Sequence, residues 1–338
     1  MKKLRVLSLC NGLGGGILAF KDLNIDVEYH SVEIDPHARK LFESNFPEAI
    51  SWENDVTKIT KADIEFHGPF DWIMFGSPCQ TLSVSGNGTG LMGKSGLLFN
   101  CMQVLEWCRE FNPEIKYLIE NVKMKKEFLH QFDMVVGNDE RILINSSLVS
   151  AQKRERHYWS NFKVDQPEDR KIFIKDILED GHEAFAWSKS TRYILHDGRK
   201  SSSKKGSVRS VIEQRLSLQK ANTLTTGIGC SNQSTCNYVV SIKSEPNKMY
   251  FSGGENPSLA SSFASKLNVS TDKINYRRLT VRECARLQTI PEDYDFSVVS
   301  SNQAYKAIGN SWTVASISHI LKYGLGLLKA EELGEDLL

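Results

Sequence analysis

The sequence predicts an α/β fold in which a large domain, built on a mainly parallel sheet, carries a small loop-rich lobe. Two observations predict this fold. Strand-like and helix-like segments alternate over roughly the first 160 residues, and the composition then shifts towards Ser, Thr, Asn and Gly. A helical pattern returns from residue 278. We therefore divide the chain into residues 1–164, an inserted lobe at 165–275, and a return segment at 276–338 that completes the large domain.

The elements of this fold follow from local patterns. Strands are expected where short apolar runs are bounded by turn residues, and helices where apolar residues recur at helical spacing. The strands are predicted at residues 6–10, 28–34, 71–76, 116–119 and 237–243. The helices are predicted at 17–23, 36–46, 97–111, 278–287 and 311–328. Pro36 lies in the first turn of its helix, where proline is favoured.

Composition is that of an ordinary globular enzyme. Of 338 residues, 40% are hydrophobic and 25% are charged, and no apolar run reaches the length of about 18 residues that would indicate a membrane span. The N-terminus leads straight into a glycine loop and is interpreted as a strand, not a signal peptide. The seven cysteines are odd in number and form no C-x-x-C pair. We therefore expect no disulfide framework, no metal site and a reducing cytoplasm.

Charge gives only a local signal. The net charge of +1 does not indicate a polyanionic partner. Between Lys189 and Arg209, however, seven basic residues accompany a single acid. This stretch is a candidate for contacts with phosphate groups, and an ordinary exposed loop is the alternative.

A glycine loop after the first strand predicts a nucleoside site. Gly12-Leu13-Gly14-Gly15-Gly16 precedes a helix, so a ligand can approach the backbone closely. Glu33 follows about 20 residues later, where a carboxylate can accept hydrogen bonds from both ribose hydroxyls. Asp55 is expected on the adenine side. The glycines do not follow G-x-G-x-x-G, which favours a single nucleoside over a dinucleotide; a turn that uses glycine only for packing is the alternative.

A second group of residues predicts attack on an electron-poor ring. Cys79 lies in the loop directly after a buried strand, where the ligands of open α/β sheets bind, and its thiolate would be the reactive form. Glu120 ends another buried strand. Arg154 and Arg156 occupy alternate positions, which in an extended segment point to one face. A solvated strand edge is the alternative for the two arginines.

These segments resemble, in order, the motifs of the cytosine-C5 DNA methyltransferase family. The match spans the chain except for roughly residues 165–275. Its blocks are the loop at 10–16, Glu33, Asp55, Ser77-Pro78-Cys79-Gln80, Glu120-Asn121-Val122, and the segments 152–156, 278–288 and 308–312. The first block has Cys10-Asn11-Gly12 where bacterial members have Phe-Ala-Gly. With Gly309-Asn310-Ser311-Trp312 it looks closer to the catalytic domain of the animal de novo methyltransferases, so target specificity is not carried over from bacterial relatives.

The resemblance implies a Rossmann-like catalytic domain with a target-recognition lobe at 165–275. It also implies transfer of a methyl group from S-adenosylmethionine to C5 of a cytosine extruded from duplex DNA. Cys79 is expected to attack C6, and Glu120 to hold or protonate N3. Arg156 and Arg154 are expected on the O2 side, where negative charge develops.

The resemblance further implies two sets of binding residues and the partners of the chain. Those matching the cofactor blocks are Cys10, Asn11, Gly12, Leu13, Gly15, Glu33, Ile34, Asp55, Val56, Pro78, Asn310, Ser311 and Trp312. Those expected to contact DNA are Gln80, Ser83, Arg192, Lys204, Thr223 and Thr225. The expected partner is double-stranded DNA, with a cognate restriction endonuclease as a candidate second partner. We expect a monomer or weak dimer in the cytoplasm of a bacterial or phage-infected cell.

One motif points to a different chemistry. The segment from Gly88 to Ser95 satisfies the phosphate-loop pattern G-x-x-x-x-G-K-[ST]. A phosphate loop begins at the end of a strand, whereas the nearest predicted strand ends near Gly76, with Cys79 in between. No apolar strand ending in Asp supplies a magnesium partner. We interpret the segment as a glycine-rich loop that closes over the extruded base.

Three further functions remain alternatives. An RNA cytosine methyltransferase would use the same chemistry, but its tRNA-directed members carry a Cys-Phe-Thr motif that is absent here. A catalytically silent homologue would be expected to lose Cys79 or Glu120. A cysteine hydrolase could pair Cys79 with His157, but it would leave the glycine loop and Glu33 unexplained.

Overall fold

In the computed structural model, strands and helices alternate over the first 145 residues. The described residues are 3–52, 55–77, 97–137, 140–179, 185–186, 220–221, 224, 237–242, 245–253 and 274–329, with backbone only for 185–186, 237–242, 245–253 and 274–278. The strands are β1 (Leu4–Leu9), β2 (Val27–Val32), β3 (Ile50–Ser51), β4 (Trp72–Gly76), β5 (Lys116–Val122), β6 (Glu140–Asn145), β7 (Glu155–Ser160), β8 (Phe185–Ala186), β9 (Asn237–Ile242), β10 (Glu245–Gly253) and β11 (Ile274–Arg278). The helices are α1 (Gly15–Asp22), α2 (Pro36–Asn45), α3 (Lys61–His67), α4 (Leu97–Phe111), α5 (Lys126–Val136), α6 (Val281–Leu287), α7 (Ser301–Asn310) and α8 (Val314–Gly324).

Seven strands form one mainly parallel sheet, which confirms the predicted fold class. The strand order is β3-β2-β1-β4-β5-β7-β6, and β7 runs antiparallel to both of its neighbours. The chain leaves β1 towards β2 on one side and later returns to β4 on the other. Ligands of open α/β sheets bind where the order reverses in this way, outside the carboxyl ends of the strands. The loops after β1 and β4 both begin at this point.

Apolar side chains cover both faces of the sheet, as expected for strands buried on both sides. One layer includes Phe20 of α1 and Trp72 of β4, whose rings meet edge to face at 6.0 Å. The other includes Leu98 and Leu105 of α4. Helix α8 packs so closely on the first layer that a Cβ at Gly324 would lie 2.4 Å from the Trp72 ring. These layers fix the strands whose ends carry the candidate site.

A second, antiparallel sheet of four strands has the order β10-β9-β11-β8. The strand predicted near residue 237 is β9. Three of the four strands fall within residues 165–275, and β11 crosses the boundary expected at 276. The division of the chain into domains stays a prediction.

Two predicted helices differ from the structure. Residue 278 ends β11, and α6 begins at Val281 because Thr280 caps it in a reciprocal box with Glu283. The helix predicted at 311–328 is shorter in the structure, where α8 begins at Val314 and ends at Gly324, and α7 ends before it at Asn310. Ser311 has an extended backbone (φ −67°, ψ 160°), so residues 311–313 form a connection and not a helical turn.

The described part of the chain bears on membrane spans, thiols and metal ligands. No helix in it is long and apolar enough to cross a bilayer. Within the same residues, Cys10, Cys101, Cys108 and Cys284 are free thiols, and no group of three or more His, Cys, Asp or Glu residues is arranged to hold a metal ion.

Candidate active site

The glycine loop after β1 has a conformation that glycine makes accessible. Gly12 (φ +60°) and Gly14 (φ +96°) are left-handed. A Cβ at Gly14 would lie 2.8 Å from the Phe42 ring and 2.9 Å from the Phe46 ring. The Gly12 N–H donates to Glu33 Oε2 at 2.6 Å. The loop is thereby tied to the carboxyl end of the neighbouring strand.

Glu33 presents a half-buried carboxylate beside this loop. Its second oxygen, Oε1, accepts a hydrogen bond from the Asp35 N–H at 2.8 Å. Burial nevertheless raises the pKa of the Glu33 carboxyl above its ordinary value. The next side chain, Ile34, is 66% exposed. A strand-end acid next to an exposed aliphatic side chain suits a ligand with hydroxyl groups on one part and a flat base on another.

Asn11 supplies an unused polar group in the same loop. Its Oδ1 accepts from the Tyr29 hydroxyl at 3.0 Å. Its Nδ2 is buried and has no hydrogen-bond partner among the described residues. A buried N–H donor without a partner costs free energy, so it is well matched to an acceptor on a ligand.

Asp55 and Val56 follow β3, the strand next to β2. Asp55 caps the short 3-10 turn Val56–Lys58, and its Oδ1 accepts from both the backbone and the hydroxyl of Thr57. These hydrogen bonds lower the pKa of Asp55. Val56 is buried. Asp55 is therefore ionised and positioned, as a polar contact for a base or sugar would require.

Glu120 lies one strand beyond β4. It pairs in register with Gly76, and its side chain is almost completely buried. Arg156 Nε lies 2.9 Å from Glu120 Oε1. The Trp312 indole N–H donates to Glu120 Oε2 at 3.1 Å. The structure thus brings together an acid, a cation and an aromatic residue that the sequence places in three separate segments.

The two arginines of the predicted pair have different surroundings. Arg156 makes an ion pair with Glu120, but its Nε–H is not aligned on that oxygen and has no hydrogen-bond partner among the described residues. Arg154 is buried, and its guanidinium donates to the carbonyls of Leu224 (3.0 Å), Gly309 (3.4 Å) and Ser311 (2.9 Å). Arg156 therefore lies beside the acid, whereas the Arg154 guanidinium links the backbone at Leu224 to the backbone at Gly309 and Ser311.

The residues that lead into the nucleophile loop are anchored. Asn121 Nδ2 donates to the carbonyl oxygen (3.2 Å) and the hydroxyl (3.1 Å) of Ser77, two positions before Cys79. Cys79 itself lies outside the described residues. So do Pro78, Gln80, Ser83, Arg192, Lys204, Thr223, Thr225 and the phosphate-loop pattern at 88–95. Their assignments stay predictions.

The connection between α7 and α8 reaches the same sheet edge. A Cβ at Gly15 would lie 3.3 Å from Trp312 Cβ and 3.6 Å from Ser311 Oγ, so the connection packs directly on the glycine loop. Ser311 is buried and Asn310 is exposed. The predicted first and last cofactor blocks are therefore in contact.

His157, the partner considered for a cysteine hydrolase, is paired in register with Asn121 on β5. Its Nδ1 is buried and has no hydrogen-bond partner within the described ranges. Burial lowers the pKa of His157 to about 4. The imidazole is therefore neutral at pH 7.

Gln288 is an organising residue whose role was not predicted individually. It is completely buried; its Nε2 donates to the carbonyls of Ile308 (3.0 Å) and Ser311 (3.3 Å), and its Oε1 accepts from the Thr313 hydroxyl at 2.8 Å. The available signal was an amide just after a short helix with apolar spacing, a position where a buried polar group needs partners.

The chain is similar in fold to solved structures of methyltransferases. The chain is similar to a methyltransferase of Entamoeba histolytica, EhMeth (TM-score 0.64, 16% identity, covering 98% of this chain and 100% of that one). It is also similar to the Dnmt2 methyltransferase of S. pombe (TM-score 0.58, 21% identity, covering 96% and 99%). At these identities the likeness shows the fold, which is a Rossmann-like methyltransferase fold.

The family description C-5 cytosine-specific DNA methylase matches residues 4–323, and the chain belongs to this family. Among curated relatives, the type II methyltransferase M1.ScrFI of Lactococcus lactis subsp. cremoris is 27% identical over 97% of this chain and 79% of the relative. M.HhaI of Haemophilus parahaemolyticus is 26% identical over 96% and 94%. The predicted family is confirmed, and the hydrolase alternatives are left without support. Members of this family act on DNA and generally use S-adenosylmethionine.

Proposed function

We propose that this chain transfers the methyl group of S-adenosylmethionine to C5 of a cytosine that has been extruded from duplex DNA. One observation carries the proposal most strongly. Glu120 has Arg156 at one carboxylate oxygen and Trp312 at the other, at the same sheet edge as the glycine loop. An acid beside a cation, next to a nucleoside-type loop, matches the needs of this reaction.

The residues around the glycine loop fit the cofactor. Glu33 offers acceptors for ribose hydroxyls, and the unpartnered Asn11 Nδ2 offers a donor. Ile34 is exposed and can pack on the base, with Asp55 and Val56 further along the edge. When bound, S-adenosylmethionine supplies an electrophilic methyl group on a sulfonium, which C5 of the activated ring takes.

The remaining chemistry belongs to the side chains of the chain. The Cys79 thiolate forms a bond to C6, and the electron pair of the C5–C6 double bond is displaced towards N3 and O2. Glu120 protonates N3, and the Arg156 guanidinium beside it stabilises the charge on O2. After methylation Glu120 takes back the N3 proton, a base removes the C5 proton, the double bond re-forms, and Cys79 leaves as a thiolate.

The burial of the acid supports base extrusion. Glu120 is almost completely buried at the sheet edge, so the ring of a stacked and paired cytosine cannot reach it. Enzymes that act on a base within a duplex solve this problem by flipping the nucleotide into the site. The hydrogen bonds from Asn121 to Ser77 would hold the start of the Cys79 loop in place for the attack.

The contacts of Arg154 favour a positioning role over direct contact with O2. Its guanidinium links Leu224, which lies between the predicted DNA contacts Thr223 and Thr225, to Ser311 beside the acid site. We propose that Arg154 fixes the lobe relative to the site and that Arg156 faces the substrate.

A partner restriction endonuclease and a cytoplasmic location remain part of the proposal, in keeping with the type II relatives and the free thiols.

Sequencing the 5-methylcytosine of a host that expresses the chain tests the proposal and reveals the target site. Methylation should appear at one short sequence and disappear with Cys79→Ser, whereas Lys94→Ala in the phosphate-loop pattern should keep it. Purified chain with labelled S-adenosylmethionine should transfer label to duplex DNA. Label in tRNA alone would overturn the DNA substrate in favour of the RNA cytosine methyltransferase considered from the sequence.

A further inference from the structure

We propose that Trp312 is a positioning residue that holds the Glu120 carboxyl group in its reactive orientation and couples it to the cofactor loop. The inference rests on the proposed function. It assigns to the indole N–H a role that differs from contact with the cofactor, because the N–H donates to Glu120 Oε2 at 3.1 Å.

The space around this hydrogen bond is tightly filled. A Cβ at Gly76 would lie 2.8 Å from Glu120 Oε2 and 3.0 Å from Trp312 Nε1. Both distances are shorter than ordinary contacts of a Cβ atom, so even a methyl group at this strand end would force the carboxylate and the indole to move. The absence of a side chain at Gly76 therefore permits the contact.

The backbone on both sides of Trp312 is anchored by buried polar groups. The Ser311 carbonyl oxygen accepts from the Arg154 guanidinium at 2.9 Å and from Gln288 Nε2 at 3.3 Å. On the other side, the Thr313 side-chain hydroxyl donates to Gln288 Oε1 at 2.8 Å. The indole therefore projects from a backbone that cannot easily shift.

Holding the acid in this way has a chemical consequence. With Oε2 engaged by Trp312 and Oε1 beside Arg156, rotation of the Glu120 carboxyl group would break both contacts. The acid must lie within hydrogen-bond reach of N3, and small misplacements of a reacting group cost large factors in rate. Trp312 also packs on Gly15, so the same residue contacts the cofactor loop.

The test measures a reaction that needs the acid but not the cofactor. In the full chain, addition of Cys79 to C6 and protonation of N3 allow C5 to take a proton from water. Loss of the original C5 hydrogen and departure of Cys79 then restore the base. Duplex DNA carrying tritium at C5 of the target cytosine would therefore release tritium to water without any cofactor.

Trp312→Phe keeps an aromatic ring and removes the N–H donor. We expect tritium release and the kcat of methyl transfer to fall about tenfold each, which is about 1.4 kcal/mol. The Kd for S-adenosylhomocysteine should change by less than about threefold. Gly76→Ala, which perturbs the same contact from the other side, should lower tritium release at least as much.

Trp159→Phe is a matched control, because it removes another indole-to-carboxylate hydrogen bond, from the buried Trp159 Nε1 to the half-buried Asp133 Oδ1 at 2.8 Å. It should lower the melting temperature and leave tritium release unchanged. Wild-type release in Trp312→Phe, or an equal loss in the control, would overturn the role of Trp312. If the wild-type chain neither released tritium nor transferred a methyl group, the proposed function would fail and this inference with it.

Discussion

The seven-stranded sheet has an amino edge and a carboxyl edge, where its parallel strands begin and end. Both edges carry acid–base pairs, but those at the amino edge are exposed and the one at the carboxyl edge is buried. At the amino edge, Lys3 pairs with Asp26 at 2.6 Å with side chains 58% and 72% exposed, and Lys21 pairs with Glu48 at 3.1 Å with similar exposure. At the carboxyl edge, by contrast, Glu120 is almost completely buried beside Arg156. Water screens the first kind of pair, whereas burial and fixed partners give the second a defined geometry.

The comparison teaches that a carboxylate acquires a function through its surroundings. Glu33 and Glu120 are held by a backbone N–H and an indole N–H respectively, near the carboxyl ends of buried strands. Glu48 has a single lysine partner at the surface. Replacing each of these glutamates by glutamine changes the charge with little change in size, so the series measures what each environment contributes.

Glu120→Gln is expected to have the largest effect. The amide cannot deliver a proton to N3, so the rate of methyl transfer should fall by about 10²–10⁴, the usual contribution of general acid catalysis. Folding should persist, since the glutamine carbonyl can still accept from the Trp312 N–H. Single-turnover transfer of tritiated methyl groups to duplex DNA measures the rate. A loss of less than about tenfold would remove Glu120 from the chemistry.

The two arginines should separate activity from stability. Lysine at Arg154 cannot span three backbone carbonyls, so we expect Arg154→Lys to lower the free energy of unfolding by about 2 kcal/mol, measured by urea titration. Arg156→Lys should change that free energy by less than about 1 kcal/mol but slow methyl transfer by about 10². Equal profiles for the two variants would show that they share one role.

Glu33→Gln should lower the affinity for the cofactor by about tenfold at pH 7, which corresponds to a loss of about 1.4 kcal/mol of binding free energy from hydrogen bonds to a charged group. Burial raises the pKa of Glu33, so this carboxyl is protonated at a higher pH than an exposed one. Ribose hydroxyls need the ionised form, and the affinity of the wild-type chain should fall as the pH drops through this raised pKa. Calorimetric titration with S-adenosylhomocysteine should show that fall, and a flat profile for the variant.

The same raised pKa has a consequence of opposite sign for folding. Protonated Glu33 favours the folded chain at pH values below its unfolded-state pKa, and this contribution is lost as the pH rises through the folded-state value. The difference in unfolding free energy between the wild-type chain and Glu33→Gln should therefore depend on pH in that direction. No dependence would contradict the burial of the carboxylate.

Glu48→Gln, at the amino edge, should have the smallest effect. Exposed ion pairs contribute about 0–1 kcal/mol, so we expect a change in unfolding free energy below about 0.5 kcal/mol and an unchanged rate of methyl transfer. Thermal unfolding and the tritium assay check both. A fall of about tenfold in the rate of methyl transfer would break the distinction between the two edges.

Sequence reasoning predicted the parts of the site that depend on local signals. The glycine loop, Glu33 and Glu120 follow strands whose apolar runs are visible in the sequence, and helix α4 has the predicted bounds because its apolar period is regular. Parallel strands bring their carboxyl ends to one edge, so these residues had to lie near one another.

Contacts between distant segments could not be predicted in the same way. The alternate spacing of Arg154 and Arg156 predicted one shared face, yet their surroundings differ. Arg154 binds the carbonyls of Gly309 and Ser311, which lie more than 150 positions away in the sequence, and no local pattern indicates such contacts. The Trp312–Glu120 hydrogen bond likewise depends on the path of the α7–α8 connection. Ser311 was predicted to begin a helix, but its backbone is extended. The predicted DNA contacts lie outside the described residues and stay predictions.

Covalent trapping tests the central claim most directly. Duplex DNA with 5-fluorocytosine at the target position, incubated with the chain and S-adenosylmethionine, should give a stable protein–DNA adduct, because fluorine cannot leave C5 as a proton does. Mass spectrometry should place the bond on Cys79, with one methyl group added to the ring. An adduct on another cysteine, or no adduct from a chain that methylates the unmodified duplex, would contradict the account.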